Sequence, residues 1–104
     1  VTFSFLYNER LGIELPSLES LWEEYPKNVQ EMILARWETI RGTIPDRIFS
    51  IEKVINQKQE ELACEEDFDR SCLLNTEIAE LASIINDLWL WYRIDQNLSL
   101  KFHQ

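Results

Sequence analysis

The sequence predicts an all-α protein: a four-helix bundle in which two shorter helices pack on a long antiparallel helical hairpin. Three observations predict it. Ile44, Ile48, Ile51, Ile55 and Leu62 recur at steps of three, four or seven, as do Leu74, Ile78, Leu81, Ile85, Leu88 and Tyr92. Such steps put each run on one helix face. The second run, read backwards, repeats the spacing of the first, and a short acidic turn joins them, so the two pair antiparallel. The chain has only two Gly and three Pro in 104 residues and is 45% hydrophobic, too few turn residues for a β-rich domain.

One domain spans 1–104, a length that suits a single core. Residues 1–15 read as an N-terminal arm. Val1, Phe3 and Phe5 alternate with Thr2 and Ser4 in a strand-like way, but a lone strand has no partner, so the aromatics are expected to tuck into the helical body. Ser17 reads as the N-cap of a short helix over 17–25, with Leu18, Leu21, Trp22 and Tyr25 on one face. Pro26 ends it and opens a second helix over 26–41, whose stripe is Val29, Ile33, Trp37 and Ile40. Gly42 is expected to stop that helix in a left-handed conformation, with Thr43 capping the next. The hairpin helices span 45–64 and 67–95, the second about 40 Å long at the usual rise. Residues 97–104 are expected to fray.

Ten basic and nineteen acidic side chains leave a formal charge of −9. That surface repels phosphate backbones and anionic lipid, which argues against nucleic acid and membrane as partners. A protein partner with a basic patch fits the charge, as does plain solubility. Cys64 and Cys72 are the only thiols, eight apart and without a nearby His, and read as two structural cysteines in a reducing, cytoplasmic setting. No signal peptide is expected from the sequence, and no apolar run in it is long enough to span a bilayer.

On the last helix, Leu81, Leu88 and Tyr92 lie at the centre of the apolar face, with Trp89 and Trp91 on opposite shoulders. The tryptophans are expected to pack on Trp22 and Trp37. Trp91 takes the inner position, and Trp89 at the edge is a candidate docking residue, since Trp gives a large contact area at low entropy cost. Two charges interrupt the seam: Lys58 between Ile55 and Leu62, and Glu77 among Leu74, Ile78 and Leu81. In a register that sets Ile55 against Leu81 and Ile51 against Ile85, Lys58 faces Glu77. A partly buried ion pair there adds little stability but can fix register.

The stretch Glu66-Asp67-Phe68-Asp69-Arg70-Ser71-Cys72-Leu73-Leu74-Asn75-Thr76-Glu77-Ile78 resembles the UVR motif, a helical hairpin of nucleotide-excision-repair proteins and of some Clp-type chaperone ATPases and their adaptors. Phe68, Asp69, Arg70, Leu74 and Ile78 follow the family pattern in order, and Ile51-Glu52, Ile55 and Leu62 resemble its first helix, so the likeness covers about residues 48–81. The family's Ala-Ala is Ser71-Cys72 here, and its Arg-Asp is Asn75-Thr76, a departure that puts any particular family partner in doubt. The resemblance implies a protein-docking hairpin with no chemistry of its own.

Catalytic candidates are weak. The acidic turn (Glu60, Glu61, Glu65, Glu66, Asp67, Asp69) has no central Gly for an EF-hand loop. An all-α pyrophosphohydrolase of the MazG kind pairs Glu-x-x-Glu with a later Glu-x-x-Asp around Mg²⁺. Glu77-Ile78-Ala79-Glu80 supplies the first half, but only Asp87 and Asp95, eight apart, follow it. His103 is the only histidine, so no nucleophilic triad and no zinc or haem site can be assembled. The expectation is a non-enzymatic interaction module without cofactor or metal. Its docking residues would be Glu66, Phe68 and Arg70 at the turn and Trp89 on the shoulder. A structural homodimerisation domain is the alternative, and the metal-dependent pyrophosphohydrolase follows it.

Overall fold

Residues 3–18 form a β-hairpin, which overturns the all-α expectation. The computed structural model describes residues 2–94. Strand β1 (Phe3–Asn8) pairs antiparallel with β2 (Ile13–Leu18), setting Phe3 against Leu18, Phe5 against Pro16 and Asn8 against Ile13. The partner that the Phe3/Phe5 alternation lacked is a segment whose proline and serine read as a helix start. Pro16 is tolerated because β2 is paired on one side only. Ser17 sits opposite Ser4 and caps nothing.

Asn8 and Gly12 close the hairpin. The Asn8 side chain accepts a hydrogen bond from the Leu11 amide at 2.9 Å, and its carbonyl accepts one from the Gly12 amide at 2.7 Å. Gly12 has φ +74°, a conformation that glycine adopts without steric cost. Arg47 Nε donates to the Leu11 carbonyl at 3.0 Å and fills the space where a Gly12 side chain would stand.

The expected helix over 17–25 is also absent. The chain leaves β2, bends, and makes one 3₁₀ turn at Trp22–Glu24. Tyr25 is buried, and its hydroxyl accepts from the Glu19 amide at 3.1 Å and donates to the Thr2 carbonyl at 2.6 Å. This single tertiary clamp holds the open end of the hairpin and takes up polar groups that a helix would have satisfied internally.

Three α-helices follow: α1 (Lys27–Arg41), α2 (Ile44–Cys64) and α3 (Phe68–Tyr92). Gly42 does not stop α1 in a left-handed turn. Gly42 (φ −63°, ψ −19°) and Thr43 (φ −88°, ψ −12°) are both right-handed, so α1 and α2 form one long bent rod. The Thr43 hydroxyl donates back to the Ile40 carbonyl at 2.7 Å and does not cap α2. Residues 65–67 reverse the chain, and α3 returns antiparallel to α2. The expected end of the last helix at 95 and the tail at 97–104 lie outside the described residues.

The core occupies one end of the molecule. Phe5, Leu11, Ile13, Tyr25, Ile33, Trp37, Ile44, Ile48, Ile51, Ile84 and Leu88 form one buried cluster. The Trp37 indole packs on Trp91 with ring centroids 5.7 Å apart and donates to the Ile94 carbonyl. Arg41 Nε donates to the Tyr92 carbonyl at 2.6 Å, satisfying a carbonyl at the end of α3 that has no partner within the helix. Beyond Ile51 and before Ile84, Leu74 is the one fully buried side chain among the described residues. That half of the α2–α3 pair is a two-helix arm. It makes the molecule 60 × 21 × 18 Å, with a radius of gyration of 17.9 Å against about 13 Å for a compact chain of 100 residues.

Candidate functional site

The arm ends at Glu65–Asp67. Glu66 is exposed there, and Phe68, the first residue of α3, is 77% exposed. Phe68 lies roughly 120° around the helix from Leu74, so a residue that faces away from the seam is apolar where solvent calls for a polar one. Arg70 Nη2 sits 3.7 Å from Glu61 Oε2 across the two helices. Glu66, Phe68 and Arg70 are therefore brought together at one end. Trp89 is not among them: it follows Phe68 by 21 residues on the same helix, about 30 Å away. It packs edge-on against Tyr92 at 5.4 Å and remains 39% exposed. The opposite shoulder, Trp91, turns into the core against Trp37.

Lys58 and Glu77 meet across the middle of the arm, with Nζ 3.4 Å from Oε1. That oxygen is shielded from solvent and accepts no well-directed hydrogen bond, so the contact is an ion pair with little hydrogen-bond character. The side chains keep exposures of 24% and 38%, which makes their net contribution to stability small.

Two features had little local signal. The first is a latch. Arg10, in the β-hairpin loop, reaches α3 and donates to Asp87 at 2.7 Å, Ser83 at 2.9 Å and Glu80 at 3.2 Å. The hydrogen bond to Asp87 and then that to Glu80 raise the guanidinium pKa above its ordinary value. Spacing of i, i+3 and i+7 marks Glu80, Ser83 and Asp87 as one polar stripe, but their partner is about 70 residues earlier in the chain. The second is an open groove of about 410 Å³ along the arm, lined by Val54, Lys58, Thr76, Glu77, Glu80 and Leu81. Val54 follows Ile51 by one turn and Leu81 precedes Ile84 by one turn, so the groove continues the buried face past the point where strands and α1 stop covering it.

The acids of the pyrophosphohydrolase pattern are already engaged, Glu77 with Lys58 and Glu80 with Arg10. Among the described residues, no three acidic, thiol or imidazole side chains converge as metal ligands. Cys64 and Cys72 are free and exposed, which corrects their reading as structural cysteines: both fall on the outer faces of the arm. Asp95 and His103 lie outside the described residues. Among the described residues, no helix is long and apolar enough to cross a membrane. Compared with protein-family models, with curated proteins and with solved structures, the chain matches none of them.

Proposed function

We propose that this chain is a non-enzymatic protein–protein interaction module, a small cytosolic adaptor or regulatory subunit that docks through its helical arm. The observation that carries the reading is Phe68, 77% exposed at the tip of an arm that projects from the core. An aromatic side chain left in water on a projecting element gains most when a partner covers it. Arg70 and Glu66 beside it supply polar contacts that would orient the partner. The free thiols of Cys64 and Cys72 suit a reducing compartment. The resemblance of residues 48–81 to the UVR hairpin points the same way.

Between Glu52 and Glu80 the chain has nine acidic and three basic side chains, so two arms laid together would repel. That favours a partner with a basic surface over a homodimer. The test is affinity purification from the source cells with wild type, Phe68→Ser and Arg70→Glu, each first shown to melt like wild type. A partner held by wild type and lost from both variants supports the reading. Identical recoveries from all three, or turnover of a small molecule by the purified chain, would remove it.

A further inference from the structure

The groove beside the Lys58–Glu77 pair lies along the arm, apart from the tip. Its floor is apolar, formed by Val54, Leu81 and the stem of Lys58, and its rim carries Glu77 and Glu80. At the core end of the molecule, the β-hairpin and α1 cover this side of the α2–α3 seam, burying Ile51 and Ile84. Along the arm nothing among the described residues does so. Val54 is exposed and Leu81 half-covered although both continue the core face. Two helices with an apolar seam and a vacant third position are the receptor geometry of helix-in-groove recognition.

Charge selects the occupant. Nine acidic and three basic side chains lie between Glu52 and Glu80, so a second copy of the arm is repelled, as is any acidic segment. The Glu77 side chain, paired with Lys58 through Oε1, keeps 38% exposure at the edge of the groove. Glu61, three residues past Lys58 and one helical turn toward the tip, keeps 56% of its side chain exposed beside its 3.7 Å contact with Arg70. We propose that the groove binds one basic amphipathic helix of a partner protein. Two apolar side chains at i and i+4, about 6 Å apart, pack on Val54 and Leu81, and Lys or Arg on the helix flank meets Glu77 and Glu61. This deepens the docking function above and rests on it, but it assigns the contact to the side of the arm instead of the tip.

The experiment is ¹⁵N NMR titration of the full chain with a 15-residue Leu/Lys amphipathic helical peptide. Controls are a peptide of the same composition with its order scrambled, a Lys-only peptide and a Leu/Glu amphipathic helix. The expected result is saturable shifts of Val54, Lys58, Thr76, Glu77, Glu80 and Leu81 with the Leu/Lys helix, and binding at least tenfold weaker for each control. Val54→Lys, a change at an exposed position, should weaken the Leu/Lys helix at least tenfold. Val54→Leu should retain it and shows that the groove tolerates substitution. Equal binding of the Lys-only or Leu/Glu peptide overturns the proposal, as does the absence of any binding. Concentration-dependent groove shifts without peptide would identify a second copy as occupant and overturn it too. Shifts confined to Glu65–Arg70 would overturn the groove while leaving docking through the arm intact.

Discussion

Leu74 is the side chain on which the arm depends, and Leu74→Ala tests whether arm and core are separate units of stability. It is fully buried, yet the flanking seam residues Leu62 and Ile78 are only half-covered. Leucine-to-alanine changes at buried sites cost about 2–5 kcal/mol, depending on how far the surroundings collapse. Among the described residues no third layer holds the cavity open, so the cost belongs at the low end, about 2–3 kcal/mol. If the arm opens by itself, that loss falls on its local opening equilibrium. Amide hydrogen exchange at residues 55–80 should then accelerate by about 30- to 150-fold, taking 1.36 kcal/mol per factor of ten. Amides of Ile33 and Trp37 in the core should exchange as in wild type. Leu88→Ala, at a site equally buried but inside the core cluster, should accelerate the core amides and leave the arm's own opening unchanged. Uniform acceleration by Leu74→Ala would refute the division, and acceleration below about threefold, under 1 kcal/mol, would refute the importance assigned to Leu74.

Gly12→Ala should lower stability by about 1–2 kcal/mol from the positive φ alone, and by more through displacement of Arg47, whose Nε lies 2.6 Å from the new Cβ position; chemical denaturation measures it. Gly42→Ala should do the reverse, gaining about 0.5–1 kcal/mol, because Gly42 is right-handed and the nearest atom to its added Cβ is 3.5 Å away. Tyr25→Phe should cost about 1–2 kcal/mol and speed exchange of the amides of Glu19 and Ser20, which lose their acceptor. For the ion pair, Lys58→Met alone should destabilise by about 1 kcal/mol, whereas Lys58→Met with Glu77→Leu should return to within about 1 kcal/mol of wild type. A double variant as unstable as the sum of its singles would show that the two side chains are not coupled.

The helical hairpin is legible because its determinants are local. The apolar steps from Ile44 to Leu62 and from Leu74 to Tyr92 repeat at the helical period, and an acidic, glycine-free break separates them. The charges at 58 and 77 stand out for the same reason: they occupy positions that the period assigns to hydrophobes. The β-hairpin is different. A signal for it exists in Asn8 and Gly12 flanked by the alternations Phe3, Phe5, Tyr7 and Ile13, Leu15. Pro16 and Ser17 obscure it by matching a helix start equally well. The choice between strand and helix over 13–18 falls to pairing with β1, and the choice over 19–25 to the hydroxyl of a buried tyrosine.

The order of apolar residues along the chain thus determined that two long helices form and fold back on each other near Glu66, since each helix face is set by residues three and four apart. Tertiary structure alone decided that residues 3–18 are a β-hairpin latched to α3 by Arg10, that α1 and α2 run on as one bent rod, and that the described residues leave one side of the arm uncovered. Each of these depends on groups distant in sequence coming within hydrogen-bonding or van der Waals range, and no local pattern of residues encodes such an encounter.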